Sequence, residues 1–170
     1  MNRAVFFDRD GVLNELISRN GGLYSPRTAG KFHLFPKTGE VINKIKSKGY
    51  LCITISNQPD IARGYLKKSE LNLMTQILFS TLDLDDIFYC FHDDSDKCGC
   101  RKPAPGLLFD AHDKWDLDLA CSIMVGDTEK DLEAARNADV EFHLLDRPYN
   151  RFVKSKNRIN NLTDIIRFLD

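Results

Sequence analysis

Arg3-Ala-Val-Phe-Phe7, running straight into Asp8-Arg9-Asp10-Gly11-Val12-Leu13-Asn14, is the stretch on which the fold turns. A short apolar run that stops at acids and a glycine reads as a buried strand ended by a polar turn. The same grammar then repeats downstream. Leu51 to Ile55, Ile87 to Phe91, Ser122 to Val125 and Glu141 to Leu145 read as four further strands. Between them lie helical patterns. Val41, Ile42 and Ile45 keep helical spacing, with Thr38 as N-cap and Gly49 as stop. Ser69 caps a helix carrying Leu71, Met74, Ile77 and Leu78. Pro105 opens a helix through Trp115, Thr128 caps one through Asn137, and a short helix spans Thr163 to Phe168. Residues 14–30 read as a long loop. Strands alternating with helices call for crossover connections and a sheet covered on both faces. The expected fold is α/β, a three-layer sandwich on a mostly parallel, Rossmann-like sheet, with residues 1–170 forming one domain.

Composition fits this. The 170 residues are 42% hydrophobic and 29% charged, enough for a sizeable core without a disulfide framework. No run approaches the roughly 18 apolar residues of a membrane span, and acids interrupt the N-terminal apolar stretch where a signal peptide would continue, so a cytoplasmic protein without a membrane partner is expected. With 24 Lys+Arg against 25 Asp+Glu there is no basic excess of the kind nucleic acid requires; a small anionic substrate remains open. Nineteen of the acids are Asp and six are Glu. Glu is the better helix former, so the bias points to loops, caps and sites that use a short, stiff carboxylate. Because Asp-x-Asp recurs at Asp8/Asp10, Asp83/Asp85, Asp94/Asp96 and Asp116/Asp118, context has to separate sites from turns.

Parallel sheets carry their sites at the carboxyl ends of the strands. Asp8 and Asp10, at the exit of the first strand, can converge on a divalent cation or divide nucleophilic and proton-transfer work; the same residues also suit a turn that holds its own backbone. Ser56-Asn57-Gln58 after the second strand offers neutral donors for oxyanions, or an ordinary polar loop. Gly126-Asp127-Thr128-Glu129-Lys130-Asp131 places one acid at a strand exit and another three residues after Thr128, where a capping box would have it. Arg101-Lys102 supplies cations ahead of the next helix. Acid pair, hydroxyl, Lys and acid, each at a strand end or ahead of a helix, together assemble a phosphate cradle.

The five cysteines form no complete disulfide set. Cys52 and Cys121 read as small buried hydrophobes. Cys90, His92, Cys98 and Cys100 place three thiolates and one imidazole within eleven residues, the donor set of a closed, structural Zn²⁺ site on a loop at 90–100; a disulfide or unpaired thiols are the plainer alternative. Asp93, Asp94 and Asp96 read as solvated turn residues. Since Cys100 directly precedes Arg101 and Lys102, a metal in this loop would hold those cations in place.

In order and spacing these motifs resemble the haloacid dehalogenase superfamily of phosphohydrolases from Ala4 to about Asp139. The resemblance implies that Asp8 is the nucleophile forming an aspartyl-phosphate and that Asp10 protonates the leaving oxygen and then activates water. It implies that Ser56 binds phosphoryl oxygens and Lys102 neutralises charge. Mg²⁺ would be held by Asp8, the carbonyl of Asp10 and Asp127, with Asp131 a supporting acid of the same set. The Cys-x-His…Cys-x-Cys-Arg-Lys-Pro pattern and Asn57-Gln58-Pro59-Asp60-Ile61-Ala62-Arg63-Gly64 look like the subgroup of D-glycero-D-manno-heptose 1,7-bisphosphate phosphatases and histidinol-phosphate phosphatases. That subgroup has essentially no cap domain, and it makes Asn57, Gln58, Arg63 and Arg101 candidate substrate contacts. The chain departs from it at Asp60, where Gly is usual, and in the basic stretch Arg147 to Arg158, from which Arg147, Tyr149 or Arg151 could reach the site. The expected activity is Mg²⁺-dependent hydrolysis of a small phosphorylated metabolite, a heptose bisphosphate first, histidinol phosphate next, then a nucleotide or other sugar phosphate, by a monomer or small homo-oligomer. A phosphotransferase shares every one of these residues, and a non-catalytic binding module would be expected to have lost the nucleophile.

Overall fold

The structure, a computed structural model, describes residues 1–170. Along the chain run β1 (Arg3–Phe7), β2 (Ile17–Arg19), β3 (Gly22–Tyr24), α1 (Thr38–Ser47), β4 (Tyr50–Asn57), α2 (Lys68–Thr81), β5 (Asp86–Cys90), α3 (Gly106–Trp115), β6 (Ile123–Gly126), α4 (Glu129–Asn137), β7 (Glu141–Leu145) and β8 (Arg158–Ile159). Six strands form one sheet in the order β5-β4-β1-β6-β7-β8, every pair parallel. The α/β three-layer expectation holds, with no large cap. No helix is long and apolar enough to cross a membrane.

The unbroken apolar run of β1 has a structural cause. Val5 and Phe7 pack into a cluster with Val41, Ile42, Leu71 and Met74 of α1 and α2, while Ala4 and Phe6 pack with Leu107, Leu108, Ala134 and Ala135 of α3 and α4. A strand covered on both faces needs hydrophobes at every position. The register aligns Phe7 with both Thr54 and Val125. Asp8, Ser56 and Asp127 therefore emerge at nearly one level, where the strand order reverses beside β1, the crevice such sheets use for ligands.

Several local expectations are corrected. Residues 14–30 hold an antiparallel hairpin, β2 with β3, and a sixth sheet strand, β8, pairs with β7. α1 starts at Thr38 itself, whose hydroxyl donates to the Phe35 carbonyl (2.8 Å) instead of capping, because Lys37 already turns the chain in the left-handed region (φ 67°). α2 starts one residue before Ser69, with no side-chain cap. The C-terminal segment Leu162–Phe168 is 3-10, not α-helical. Cys52 is buried but Cys121 is exposed on the connection into β6. At α4 the capping box of Thr128 and Asp131 is present as read.

Candidate active site and metal centres

β1 and β6 lie side by side, so the acids that follow them meet. Asp8, Asp127 and Asp131 bring carboxylate oxygens within 4.8 Å of one another. Lys102 is buried beside them and uses all three ammonium hydrogens, donating to Asp8 Oδ1 (2.7 Å), Asp131 Oδ1 (2.5 Å) and the Ile55 carbonyl (2.9 Å). Burial disfavours its charge, but Asp131 and Asp8 outweigh that and hold the ammonium protonated more firmly than usual. Asp131 is fully committed. Its Oδ2 accepts from the Thr128 hydroxyl (2.6 Å) and from the backbone N–H of Thr128 (3.0 Å) and Asp127 (3.3 Å).

One lysine does not balance three clustered acids, two of them buried. Burial pushes the Asp8 carboxyl up to about 7 despite Lys102, and burial together with Asp8 and Asp131 raises Asp127 well above the usual carboxylate range. Asp127 Oδ1 is buried with no hydrogen-bond partner. An orphaned acceptor among hard oxygens with surplus negative charge fits a divalent cation of the Mg²⁺ kind.

Asp10 sits differently. Its Oδ1 accepts from Arg9 Nε (3.2 Å), Arg9 Nη2 (3.0 Å) and Asn14 Nδ2 (2.9 Å), and its Oδ2 from Arg9 Nη2 (2.9 Å) and Gln58 Nε2 (2.7 Å). Burial works to raise this carboxyl, yet Arg9, Asn14 and Gln58 hold it below its usual range. Gln58 Nε2 also donates to Ser56 Oγ (3.0 Å), tying the end of β4 to the turn after β1. Asn57 braces Lys102, its amide donating to the Lys102 carbonyl and accepting from the Lys102 N–H, both at 3.0 Å. Of the residues read as substrate contacts, Asn57 and Gln58 thus carry internal work, although both reach the cavity wall.

The second cluster starts at Cys90, the last residue of β5, and continues on the loop that follows. Among Cys90, His92, Cys98 and Cys100, five of the six Sγ and Nδ1 pairs are 3.2–3.7 Å apart. Disulfide sulfurs would be about 2.05 Å apart, whereas thiolates around a tetrahedral zinc with Zn–S of about 2.3 Å stand ~3.8 Å apart. The set fits a zinc ion, and the cysteines are free of disulfides. Asp93, Asp94 and Asp96 are not merely solvated. Asp93 and Asp96 close a capping box around a 3-10 turn. Arg63 pairs with Asp93 and, at 3.6 Å, with Asp60; Arg27 donates to Asp60 (2.6 Å); Arg101 donates to Asp94 (2.8 Å), which Lys130 approaches at 3.6 Å. Asp60, which stands where the subgroup usually has Gly, therefore faces guanidinium groups that offset its charge.

A cavity of about 680 Å³ opens between these clusters. Asp8, Asp10 and Asp127 line its floor, Arg63, Arg101 and Lys130 one wall, and Leu23 and Tyr24 of the β2–β3 hairpin another. That hairpin wall is not legible from residue order, since three-residue strands show too little alternation to read. Of the basic stretch, Tyr149 reaches the cavity and its hydroxyl donates to Asp127 Oδ2, whereas Arg147 turns to the Gly11 carbonyl (2.8 Å) and the Phe35 ring, and Arg151 is exposed.

Comparison with known proteins agrees. A family model for haloacid dehalogenase-like hydrolases matches residues 25–139. The D-glycero-beta-D-manno-heptose-1,7-bisphosphate 7-phosphatase of Helicobacter pylori is 36% identical, the match covering 85% of this chain and 83% of the relative. The enzyme of the same name from Haemophilus ducreyi is 31% identical over 99% of this chain and 98% of its own, and so includes the Asp8 turn that lies outside the family-model match. Among solved structures, the D,D-heptose 1,7-bisphosphate phosphatase of B. bronchiseptica complexed with magnesium and phosphate superposes with a TM-score of 0.84 at 26% identity, covering 98% of this chain and 97% of that one. Acids at the exits of β1 and β6, a buried lysine between them and matches of this length have one common reading: the chain belongs to the haloacid dehalogenase-like hydrolases, as one of their phosphatases.

Proposed function

We propose that this phosphatase removes one phosphate from a heptose 1,7-bisphosphate by covalent catalysis at Asp8, with Mg²⁺ in the active site and Zn²⁺ in the Cys90–Cys100 loop. The observation that carries the chemistry is the Asp8–Lys102–Asp127 arrangement: a nucleophile-grade carboxylate 2.7 Å from a buried ammonium, facing an acid with an orphaned oxygen. The relatives named above, matching over most of both chains, support the substrate.

Asp8, the backbone carbonyl of Asp10 and Asp127 would hold Mg²⁺, with Asp131 supporting from behind through Lys102 and the start of α4. When bound, the ion offsets the repulsion between Asp8 and a phosphate dianion and stabilises charge developing on the phosphoryl oxygens. An Asp8 oxygen attacks phosphorus and the P–O bond to the sugar breaks, leaving an aspartyl-phosphate. The departing oxygen takes a proton from Asp10, which in the second half takes one from water as that water attacks phosphorus and frees Asp8. Because Arg9, Asn14 and Gln58 hold Asp10 ionised, its acid role requires it to release those contacts and take up a proton from solvent before the leaving oxygen departs. Ser56 would donate its hydroxyl to a phosphoryl oxygen, and Lys102 would have to exchange one of its three present acceptors to do the same. Arg63, Arg101 and Lys130 give the far wall the charge to receive the second phosphate. Zinc would fix the loop that delivers Arg101 and Lys102.

Phosphate release from heptose 1,7-bisphosphate, histidinol phosphate and nucleoside monophosphates, with and without Mg²⁺, tests the proposal. A kcat/KM for the bisphosphate at least about a hundredfold above the others supports it, since ~2.7 kcal/mol is within reach of a second charged contact. Preference for histidinol phosphate would replace the substrate, and Mg²⁺-independent turnover would remove the metal.

A further inference from the structure

The segment after β7 reaches back under both acidic turns. The Asn150 amide is buried and donates to the carbonyls of Asp127 (2.8 Å) and Leu145 (2.9 Å), while Arg147 Nε donates to the carbonyl of Gly11 (2.8 Å). Between these two anchors the Tyr149 hydroxyl donates to Asp127 Oδ2. Gly11 makes the approach possible. It lies in the left-handed region (φ 92°), and a Cβ there would collide with both Asp127 Oδ2 and the Tyr149 hydroxyl.

The consequence falls on the other oxygen of Asp127. With Oδ2 held by tyrosine, Oδ1 is the one left buried and without a partner, on a carboxylate that brings an oxygen within 4.8 Å of one from Asp8. A carboxylate on a short side chain can turn about its last bond, and the hydroxyl removes that freedom. We infer that Tyr149 is a positioning residue for the cation site: its hydroxyl fixes the Asp127 carboxylate so that Oδ1 faces the metal, and thereby sets the affinity of the free enzyme for the divalent ion. Groups that orient metal ligands are commonly worth 10–100-fold in metal affinity. The inference rests on the reading of Asp127 as a metal ligand.

The test measures cation binding apart from turnover. Zinc-loaded wild type, Tyr149→Phe and Asp127→Asn are dialysed free of other divalent ions and titrated with Mn²⁺ alone, free ion being counted by electron paramagnetic resonance. Tyr149→Phe is expected to weaken Mn²⁺ binding by roughly tenfold, to raise the Mg²⁺ concentration giving half-maximal turnover by a similar factor, and to recover near wild-type kcat at saturating Mg²⁺. A merely structural hydroxyl would depress kcat at every Mg²⁺ concentration, or lower the thermal midpoint, with the Mn²⁺ dissociation constant unmoved. Either result with an unchanged dissociation constant overturns the inference. If Asp127→Asn loses Mn²⁺ binding while Tyr149→Phe keeps it, only the positioning role falls. If Asp127→Asn binds Mn²⁺ as tightly as wild type, the ligand assignment falls and takes the inference with it.

Discussion

The two clusters that flank the cavity obtain their order in opposite ways. At the ends of β1 and β6 the carboxylates are carried by strands that are buried apart from Arg3, so the fold fixes Asp8 and Asp127 and a cation only completes the charge. From the last residue of β5 onward, four ligands lie within eleven consecutive residues, three of them outside any strand or helix, and ion pairs surround them. There the cation would supply the order and the fold only the attachment. An ion held by a rigid frame can act on substrate, whereas an ion that creates the frame is occupied with structure.

The sharpest way to break this contrast is at the rigid end. Asp8→Asn preserves shape and removes the proposed nucleophile, so turnover should fall by about 10⁴-fold or more, the scale seen when a covalent nucleophile is lost. Phosphate release under single-turnover conditions checks it, and the far-ultraviolet circular dichroism should stay that of wild type. A variant that still turns over within tenfold of the parent would mean that water, not Asp8, attacks phosphorus.

At the other end, removing zinc should disturb order first and chemistry second. Cys100→Ser, or extraction of zinc with a chelator, should lower kcat/KM by about 10–100-fold, because Lys102 retains Asp8 and Asp131 but loses the fixed connection ahead of it. Amide hydrogen exchange should accelerate in residues 90–102 and remain protected in β1 and β6. Uniform loss of protection across the sheet would show instead that zinc supports the whole fold and that the two regions are not separate.

The contrast between frame and loop also decides how much the sequence could reveal. β1 was legible because burial on both faces forces an unbroken apolar run, and the α4 start because Thr128 and Asp131 sit at the fixed spacing of a capping box. The cysteine cluster was legible because all its ligands fall within one short window. What escaped depends on contacts between distant residues. The hairpin strands have three residues each and mostly face solvent or the cavity, so neither carries a period. Asn57 braces a backbone 45 residues away, and Tyr149 meets an acid 22 residues before it. Nor did the local sequence of Asp93 and Asp94 announce Arg63 and Arg101 as partners.

A pH measurement separates the sheet from both proposed metal sites. His143 is buried in β7 against Phe168, with Nε2 2.8 Å from a Glu141 oxygen. Burial holds its pKa below the usual 6.5, although Glu141 pulls the other way. The folded protein therefore keeps His143 neutral where the unfolded chain would protonate it. Its contribution is complete above pH 6.5 and is lost as pH falls from there toward the lower folded value, at no more than about 1.4 kcal/mol per pH unit. Urea midpoints between pH 7.5 and 5.5 should drop in wild type and drop less in His143→Gln, with the same difference whether or not zinc is present. A difference that vanished on zinc removal would tie β7 to the loop.

The smallest effect expected lies on the ion pairs between the regions. Arg63 is more than one third exposed and shares Asp93 and Asp60, acids that are themselves partly open to solvent. Exposed pairs of this kind contribute little because water already solvates both ions and salt screens them. The guanidinium is also held by these acids, and the more firmly it pairs with Asp93 the less of its charge is free for an anion in the cavity. Arg63→Ala should therefore leave kcat and the thermal midpoint unchanged and raise KM for the bisphosphate by less than about fivefold, an increase that shrinks further as salt is added. A much larger rise in KM, insensitive to salt, would mean that Arg63 abandons Asp93 for the second phosphate on binding. The ion-pair wall would then join the rigid frame in recognising substrate rather than merely connecting it to the loop.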